Sequence, residues 1–267
     1  MTKRALLLDS ITDADTAAEG RLAVSGSHGG LYAAAIASRA GLRAVILNDA
    51  GIGLNRAGVK GVEALADVGM AAAAVDAMSA EIGAARDMLE NGIISHANTS
   101  ALALGVAPGQ TVGDALARLA DAPTPKAMLA PVPEARWEEA LGPHRILCVD
   151  SASLVQPQDS GRIIVTGSHG GLIGGDPARA SKAAARLIAF NDAGRGKNDI
   201  GLSRLPALDA YGIGAVTLDC MSCEIGSAAS ALASGVISAA NDTARAMGLD
   251  PGMALAEAIA TLGPAAA

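Results

Sequence analysis

Aromatic residues are nearly missing from this chain: Trp137, Phe190, Tyr32 and Tyr211 are the whole set in 267 residues. Platforms that stack the bases of single-stranded nucleic acid therefore have almost nothing to work with. A basic face is missing too. Lys and Arg number 20 against 27 Asp and Glu, a net charge of −7, the wrong sign for neutralising phosphates. No run approaches the roughly 18 to 20 consecutive apolar residues that span a bilayer. Lys3 and Arg4 precede only the short run Ala5 to Leu8, too little for a signal segment. Cysteine is scarce: Cys148, Cys220 and Cys223 make no disulfide framework. These absences lead to the expectation of a reduced, cytoplasmic protein with neither a nucleic-acid nor a membrane partner.

What is present is apolar and small. Hydrophobic residues make up 51% of the chain and glycine contributes 32 positions, enough for one large core or two modest ones. The chain also repeats itself. Ser25-Gly26-Ser27-His28-Gly29-Gly30 matches Thr166-Gly167-Ser168-His169-Gly170-Gly171, and Asn48-Asp49-Ala50-Gly51 matches Asn191-Asp192-Ala193-Gly194. The second copy carries two extra residues between these motifs, around Gly174 to Asp176. From Asn48 to Gly109 the match runs without a gap, with 29 identities in 62 positions, against about 10% by chance in so Ala/Gly-rich a chain. We read residues 1–120 and 144–267 as two α/β repeats. Between them, 121–143 is a stiff linker, with Pro123, Pro125, Pro131, Pro133 and Pro143 clustered in it. Two repeats are too few for a solenoid, so they are expected to pack as a pseudo-twofold pair.

Within the first repeat, apolar runs alternate with helical segments. Strands are expected at Leu22–Val24, Ala44–Leu47 and Ala71–Val75, and a short fourth run at Ile93-Ile94. Helices are expected at Leu31–Arg39, Gly58–Asp67, Ala80–Glu90 and Thr111–Leu119, with Gly41, Gly69 and Gly92 closing the first three. Continuous apolar strands separated by helices indicate a mostly parallel sheet covered on both faces, a three-layer αβα fold. Each polar motif then falls just after a strand, where ligands bind in such sheets.

Four motifs occur twice. The first, Ser-His-Gly-Gly, places Ser27 and His28 beside Ser168 and His169, two of the four histidines of the chain. The glycines alone can be turn formers, but a histidine kept twice is suited to proton transfer near neutral pH. The second supplies Asn48 and Asp49, or Asn191 and Asp192, as Asx turns or as carboxylates that orient the imidazoles. The third supplies Asp76, Ser79 and Glu81, or Asp219, Ser222 and Glu224. A helix start explains the serines and glutamates, which leaves Asp76 and Asp219 as site candidates. The fourth, with Ser95 and Asn98 or Ser238 and Asn241, reads as a cap or turn. His96 is single, facing Ala239. Arg195 and Lys197 are also single, replacing Ile52 and Leu54, and two cations there fit a carboxylate or phosphate. Cys220 and Cys223 cannot complete a four-ligand zinc site, though a helix N-terminus would lower a thiol pKa.

A strand ending in His-Gly followed by a strand ending in Asp-Ala resembles the core of the caspase-like peptidases, over roughly fifty residues of each half. His28-Gly29 and His169-Gly170 match the first element, and Asp49-Ala50 and Asp192-Ala193 the second. The nucleophilic cysteine of that family is replaced by Gly51 or Gly194, which argues against a cysteine peptidase. The resemblance implies a three-layer fold with His and Asp side by side.

The leading expectation is a small-molecule enzyme, a hydrolase of an amide, ester or lactone bearing an acidic group. His169 would act as base, oriented by Asp192, with Ser168 as nucleophile or substrate donor; His28, Asp49 and Ser27 would be the matching set. Gly170 and Gly171 N–H groups would hold an oxyanion, and Arg195 and Lys197 the acid group. Asn191, Asn48, Asp219, Ser222 and Asp76 complete the expected substrate pocket. No cofactor is expected. The alternatives are a divalent metal held by the His/Asp cluster and a non-catalytic small-anion-binding protein. A homo-oligomer is expected in each case.

Overall fold

A computed structural model describes residues 5–263, so Lys3 and Arg4 lie outside the described residues. The first half opens with β1 (Leu6–Leu8) and β2 (Leu22–His28), followed by α1 (Leu31–Arg39), β3 (Ala44–Asn48), α2 (Lys60–Ala64) and β4 (Ala71–Val75). It closes with α3 (Ala85–Asn91), β5 (Ile94–Ala97), α4 (Thr99–Ala103) and α5 (Val112–Leu119). The strands lie in sequence order, parallel from β1 to β4, with β5 antiparallel at the edge.

The second half repeats that plan. It comprises β6 (Arg136–Leu141), β7 (His144–Val149), β8 (Ile163–His169), β9 (Leu187–Asn191), α6 (Arg204–Asp209) and β10 (Gly214–Leu218), then α7 (Ala228–Ser234), β11 (Ile237–Ala240), α8 (Asp242–Ala246) and α9 (Leu255–Ala260). β7 to β10 are parallel and β11 is antiparallel, as in the first sheet. β6 is an addition: the last residues of the expected linker form an antiparallel strand on β7. Arg136 ties it down through a two-pronged bond to the buried Asp159. The expected linker is thus free of helix and strand only up to Ala135.

The central strands β3, β4, β9 and β10 are buried at every position because nearly all their residues are apolar. In β3, Val45 and Leu47 pack under α1 and α2, while Ala44 and Ile46 face α3 and α5. In β9, Leu187 and Ala189 face α7 and α9, while Ile188 and Phe190 face α6. A fully buried side chain such as Ile46 contributes about 1.5–3 kcal/mol. Three layers result in each half.

The halves meet through reciprocal contacts that define a pseudo-twofold. Leu54 N–H donates to Cys220 O (2.8 Å) and, 143 residues on, Lys197 N–H donates to Ala77 O (2.8 Å). The Asn55 amide donates to Glu224 (2.7 Å) and the Asn198 amide to Glu81 (3.0 Å). An apolar seam of Ala50, Ala57, Ile82, Ala193 and Ile225, with Ile200 against it, lies between. Gly51 and Gly194 face each other so closely that a Cβ on either would stand 2.8 Å from the other's Cα. Side chains are excluded there by the partner backbone.

Candidate functional site

The end of β2 departs from regular pairing: its register on β3 shifts between Val24 and His28, and β8 does the same between Val165 and His169. Such irregularities re-aim side chains at a strand end. Here they deliver both serines and both histidines to one place. A cavity of about 370 Å³ between the halves is lined by Ser27, His28, Ser168 and His169 together. Further matched positions, Ser10 with Ser151 and Thr12 with Ser153, complete its shared wall. The motifs therefore serve one cleft on the pseudo-twofold instead of one cleft per half.

The two imidazoles are held alike. Gly30 N–H donates to His28 Nδ1 (3.1 Å) and Gly171 N–H donates to His169 Nδ1 (3.2 Å). An Nδ1 that accepts is unprotonated, so the neutral ring carries its hydrogen on Nε2. Burial pushes the His28 pKa down to about 4. Burial, the nearby Arg204 guanidinium and His28 push that of His169 down to about 3, against a smaller raising effect of the Gly171 bond. At neutral pH the cleft holds two uncharged Nε2–H donors, and no described protein group accepts from either.

This geometry changes the roles assigned from the motifs. The His–Asp pairing does not form. Asp49 Oδ1 accepts from Gly51 N–H (2.9 Å) and Ala77 N–H (3.0 Å), and Asp192 Oδ1 from Gly194 N–H (2.9 Å) and Cys220 N–H (3.0 Å). These carboxylates brace the loops at the seam, and burial raises the pKa of each. Asn48 and Asn191 are also structural: their carbonyls accept from Ala50 and Ala193 N–H, and their amides donate to Ala80 and Cys223 carbonyls. The oxyanion donors are spent as well, since Gly170 N–H donates to Asn191 O (2.8 Å) and Gly171 N–H to the His169 ring. Ser27 and Ser168 accept from Ile11 and Ala152 N–H (2.9 Å each). That leaves each hydroxyl hydrogen for a ligand, with no described base to remove it.

Asp76 and Asp219 bond Met78 and Met221 N–H (2.9 Å each) in Asx turns and do not line the cavity. Ser79 and Ser222 start no helix. Each donates to the carbonyl three residues back (2.7 Å) and accepts from the strand-edge N–H of Ile93 or Val236 (2.9 Å). α3 and α7 begin later, and Asp9 and Asp150 accept from their first N–H groups. Asn98 and Asn241 do cap α4 and α8. Arg195 pairs with Asp199 (2.8 Å) and Lys197 with Asp87 across the seam (2.7 Å), so neither reaches the cleft. His96, within the fourth motif, lies 3.4 Å from Glu63 and does not line the cavity.

Cys220 and Cys223 are free and buried in a turn, not at a helix start. Burial, chiefly, pushes their pKa values up to about 12 and about 11, the reverse of a reactive thiolate. Metal-ligand atoms do gather at Asp192, Asp219 and Cys220. That group contains neither imidazole, so the expected His/Asp ligand set does not come together among the described residues.

The residues that sequence reasoning missed are cations. Arg179, Lys182 and Arg204 line the cavity, and among the described residues no Asp or Glu does. Arg204 is only 3% exposed. Its guanidinium donates to the carbonyls of Gly171 (3.1 Å), Arg179 (3.3 Å) and Ala180, and lies 5.0 Å from the Phe190 ring. None of these partners carries a negative charge. Burial and Arg179 lower its pKa to about 10, so it stays protonated at neutral pH. A signal for it existed: Arg204 stands where the first half has Gly61, a single-copy cation like Arg195 and Lys197.

Compared with known proteins, the chain matches no family model, and no curated protein or solved structure is significantly similar to it.

Proposed function

We propose that the cleft on the pseudo-twofold binds a small anionic molecule. The observation that carries this is the charge of its wall: it is lined by Arg204, Lys182 and Arg179, the last 4.0 Å from Asp13 outside the wall, and by no described carboxylate, in a chain whose net charge is −7. A buried guanidinium whose partners are all neutral leaves its charge uncompensated, and such charges are strongly stabilised by an anionic partner. Arg204 is the anchor of this reading, Arg179 and Lys182 flank it, and the Nε2–H groups of His28 and His169 are neutral donors to the rest of the ligand. Ile11, Val155 and Ile188 supply an apolar wall, as small-molecule sites require.

The test is titration calorimetry with small carboxylates and inorganic phosphate on the wild type and on Arg204→Met. Saturable binding that the substitution weakens at least tenfold supports the reading. Binding unaffected by the substitution, or absent for every anion, overturns it.

A second reading builds on the same site. Two partnerless Nε2–H donors converging in one cleft favour an enzyme that polarises a carbonyl, with hydrolysis of an amide, ester or lactone of an acid as the reaction. A neutral imidazole can act in this way as an electrophile. Turnover of such acids that fails in His169→Gln supports it; binding without turnover leaves a binding protein.

A further inference from the structure

The cavity that holds Arg204 has a neighbour of about 170 Å³, and His28, Tyr32, Ser151 and Ser168 stand in the walls of both. Their charges are opposite. The smaller space is lined by Glu134, Asp150 and Glu224 against one lysine, Lys60. These three carboxylates are bonded only to neutral donors. Asp150 accepts from Ala228 N–H (3.0 Å) and Ala135 N–H (2.9 Å), and Glu224 from the Asn55 amide (2.7 Å). Glu134 accepts from the Tyr32 hydroxyl, and burial together with that bond pushes the tyrosine up to about 12. None of the three forms an ion pair with a described cation. Neutral donors orient a carboxylate without cancelling its charge. The cleft is therefore polarised along its length, cationic at Arg204 and anionic at Glu134 and Glu224. Between the ends lie two uncharged imidazoles and two serine hydroxyls.

Fixed charges of opposite sign at the two ends of a cleft select a ligand with the complementary pair and reject one with two like charges. Resting on the anion reading above, we propose that the ligand is a zwitterion. Its carboxylate or phosphate sits toward Arg204, Arg179 and Lys182, and its protonated amine toward Glu134, Asp150 and Glu224. The body of the ligand crosses the boundary marked by His28 and Ser168. The orientation is unique even though the imidazoles are related by the pseudo-twofold, because the cations come from the second half alone. A dicarboxylate of the same length would bring a negative group against Glu134 and Glu224 and is disfavoured.

The experiment compares straight-chain alkanoates, from acetate to hexanoate, with ω-aminoalkanoates of equal length, from glycine to 6-aminohexanoate. Binding is read by calorimetry at neutral pH on the full chain. The expected result is a window of chain lengths in which the amino acid binds at least tenfold more tightly than its alkanoate. Glu134→Gln combined with Glu224→Gln abolishes that preference and leaves alkanoate affinity in place. Equal or weaker binding of the amino acids at every length overturns the zwitterion and leaves the anion site standing. Binding of neither series overturns the zwitterion, and the anion reading falls with it when inorganic phosphate also fails to bind. The wild-type comparison decides by itself if the double variant does not fold.

Discussion

β2 and β8 both end in Ser-His, run on into Gly-Gly and hold the imidazole by the same backbone bond, yet the chain beyond them diverges. After β2 comes α1, an Ala-rich helix. After β8 come Gly174 and Gly175, both left-handed with φ of 63° and 67°, then Asp176 and Pro177. Glycine and proline in succession do not sustain a helix, and the segment runs as short turns to β9. The consequence reaches one carbonyl. Gly30 O accepts Ala34 N–H inside α1 (3.1 Å), whereas the matching Gly171 O is left free by the missing helix and accepts the Arg204 guanidinium instead. Gly61 packs on Gly30 so tightly that a Cβ there would stand 2.2 Å from Gly30 O. The matching position in the second half is Arg204. Loss of a helix and gain of a buried cation are thus one change: a buried carbonyl needs a donor, and the guanidinium replaces the helical N–H. That change makes a symmetric frame into an asymmetric cleft.

The comparison can be broken most severely where the halves are still alike. A Cβ at Gly58 or Gly201 would stand 2.0 Å from Asp49 O or Asp192 O. Gly58→Ala and Gly201→Ala are each expected to cost about 3 kcal/mol or more, with similar losses in the two halves by denaturant melting. A markedly milder effect in one half would mean that the loops are not equivalent. Next comes Arg204→Met, expected to reduce anion affinity by about 100-fold, the scale of a charge-assisted bond in a buried site. It should also cost about 1–3 kcal/mol of stability by denaturant melting, because the carbonyls of Gly171, Arg179 and Ala180 lose their guanidinium donor.

The imidazoles make a smaller, pH-dependent contribution. Their folded pKa values of about 4 and about 3 lie below the unfolded value near 6.5. The unfolded chain therefore takes up protons below pH 6.5 that the folded chain refuses. Stability from each ring is complete above that pH and is lost as pH falls toward the folded value, at about 1.4 kcal/mol per pH unit per histidine. His169→Gln should flatten the melting temperature between pH 6.5 and pH 5 relative to wild type. An unchanged slope would contradict the buried neutral ring. Least affected should be Lys197→Ala. It removes the bond to Asp87 and should cost about 1 kcal/mol or less, with anion affinity unchanged because Lys197 does not reach the cleft.

Much of the architecture was legible from patterning. The strand at Ala71–Val75 and the helix at Leu31–Arg39 lie where the apolar runs and Gly41 place them. The late start of α3 was not legible, because Ser79 and Glu81 satisfy the local rules for a helix start. Only the edge strand and Asp9, 76 residues upstream of Ala85, decide otherwise. The strand at Arg136–Leu141 was hidden for a similar reason. Five nearby prolines read as tether, and pairing with β7 overrides that composition.

At the site, repetition singled out His28, His169, Ser27 and Ser168, and all four line the cavity. It singled out Asp49 and Asp192 equally, since a carboxylate that braces a loop and one that orients an imidazole look the same in a sequence. Composition and periodicity determined the layered α/β fold, because burying both faces of a sheet needs apolar residues throughout its strands. Motif repetition determined that two histidines share one kind of environment. That they share one cleft, with the hydrogen on Nε2 and the counter-charge from Arg204, was decided by tertiary structure alone. Which carbonyl lacks a donor and which carboxylate already has two depend on contacts between residues far apart in the chain, and no local pattern encodes those distances.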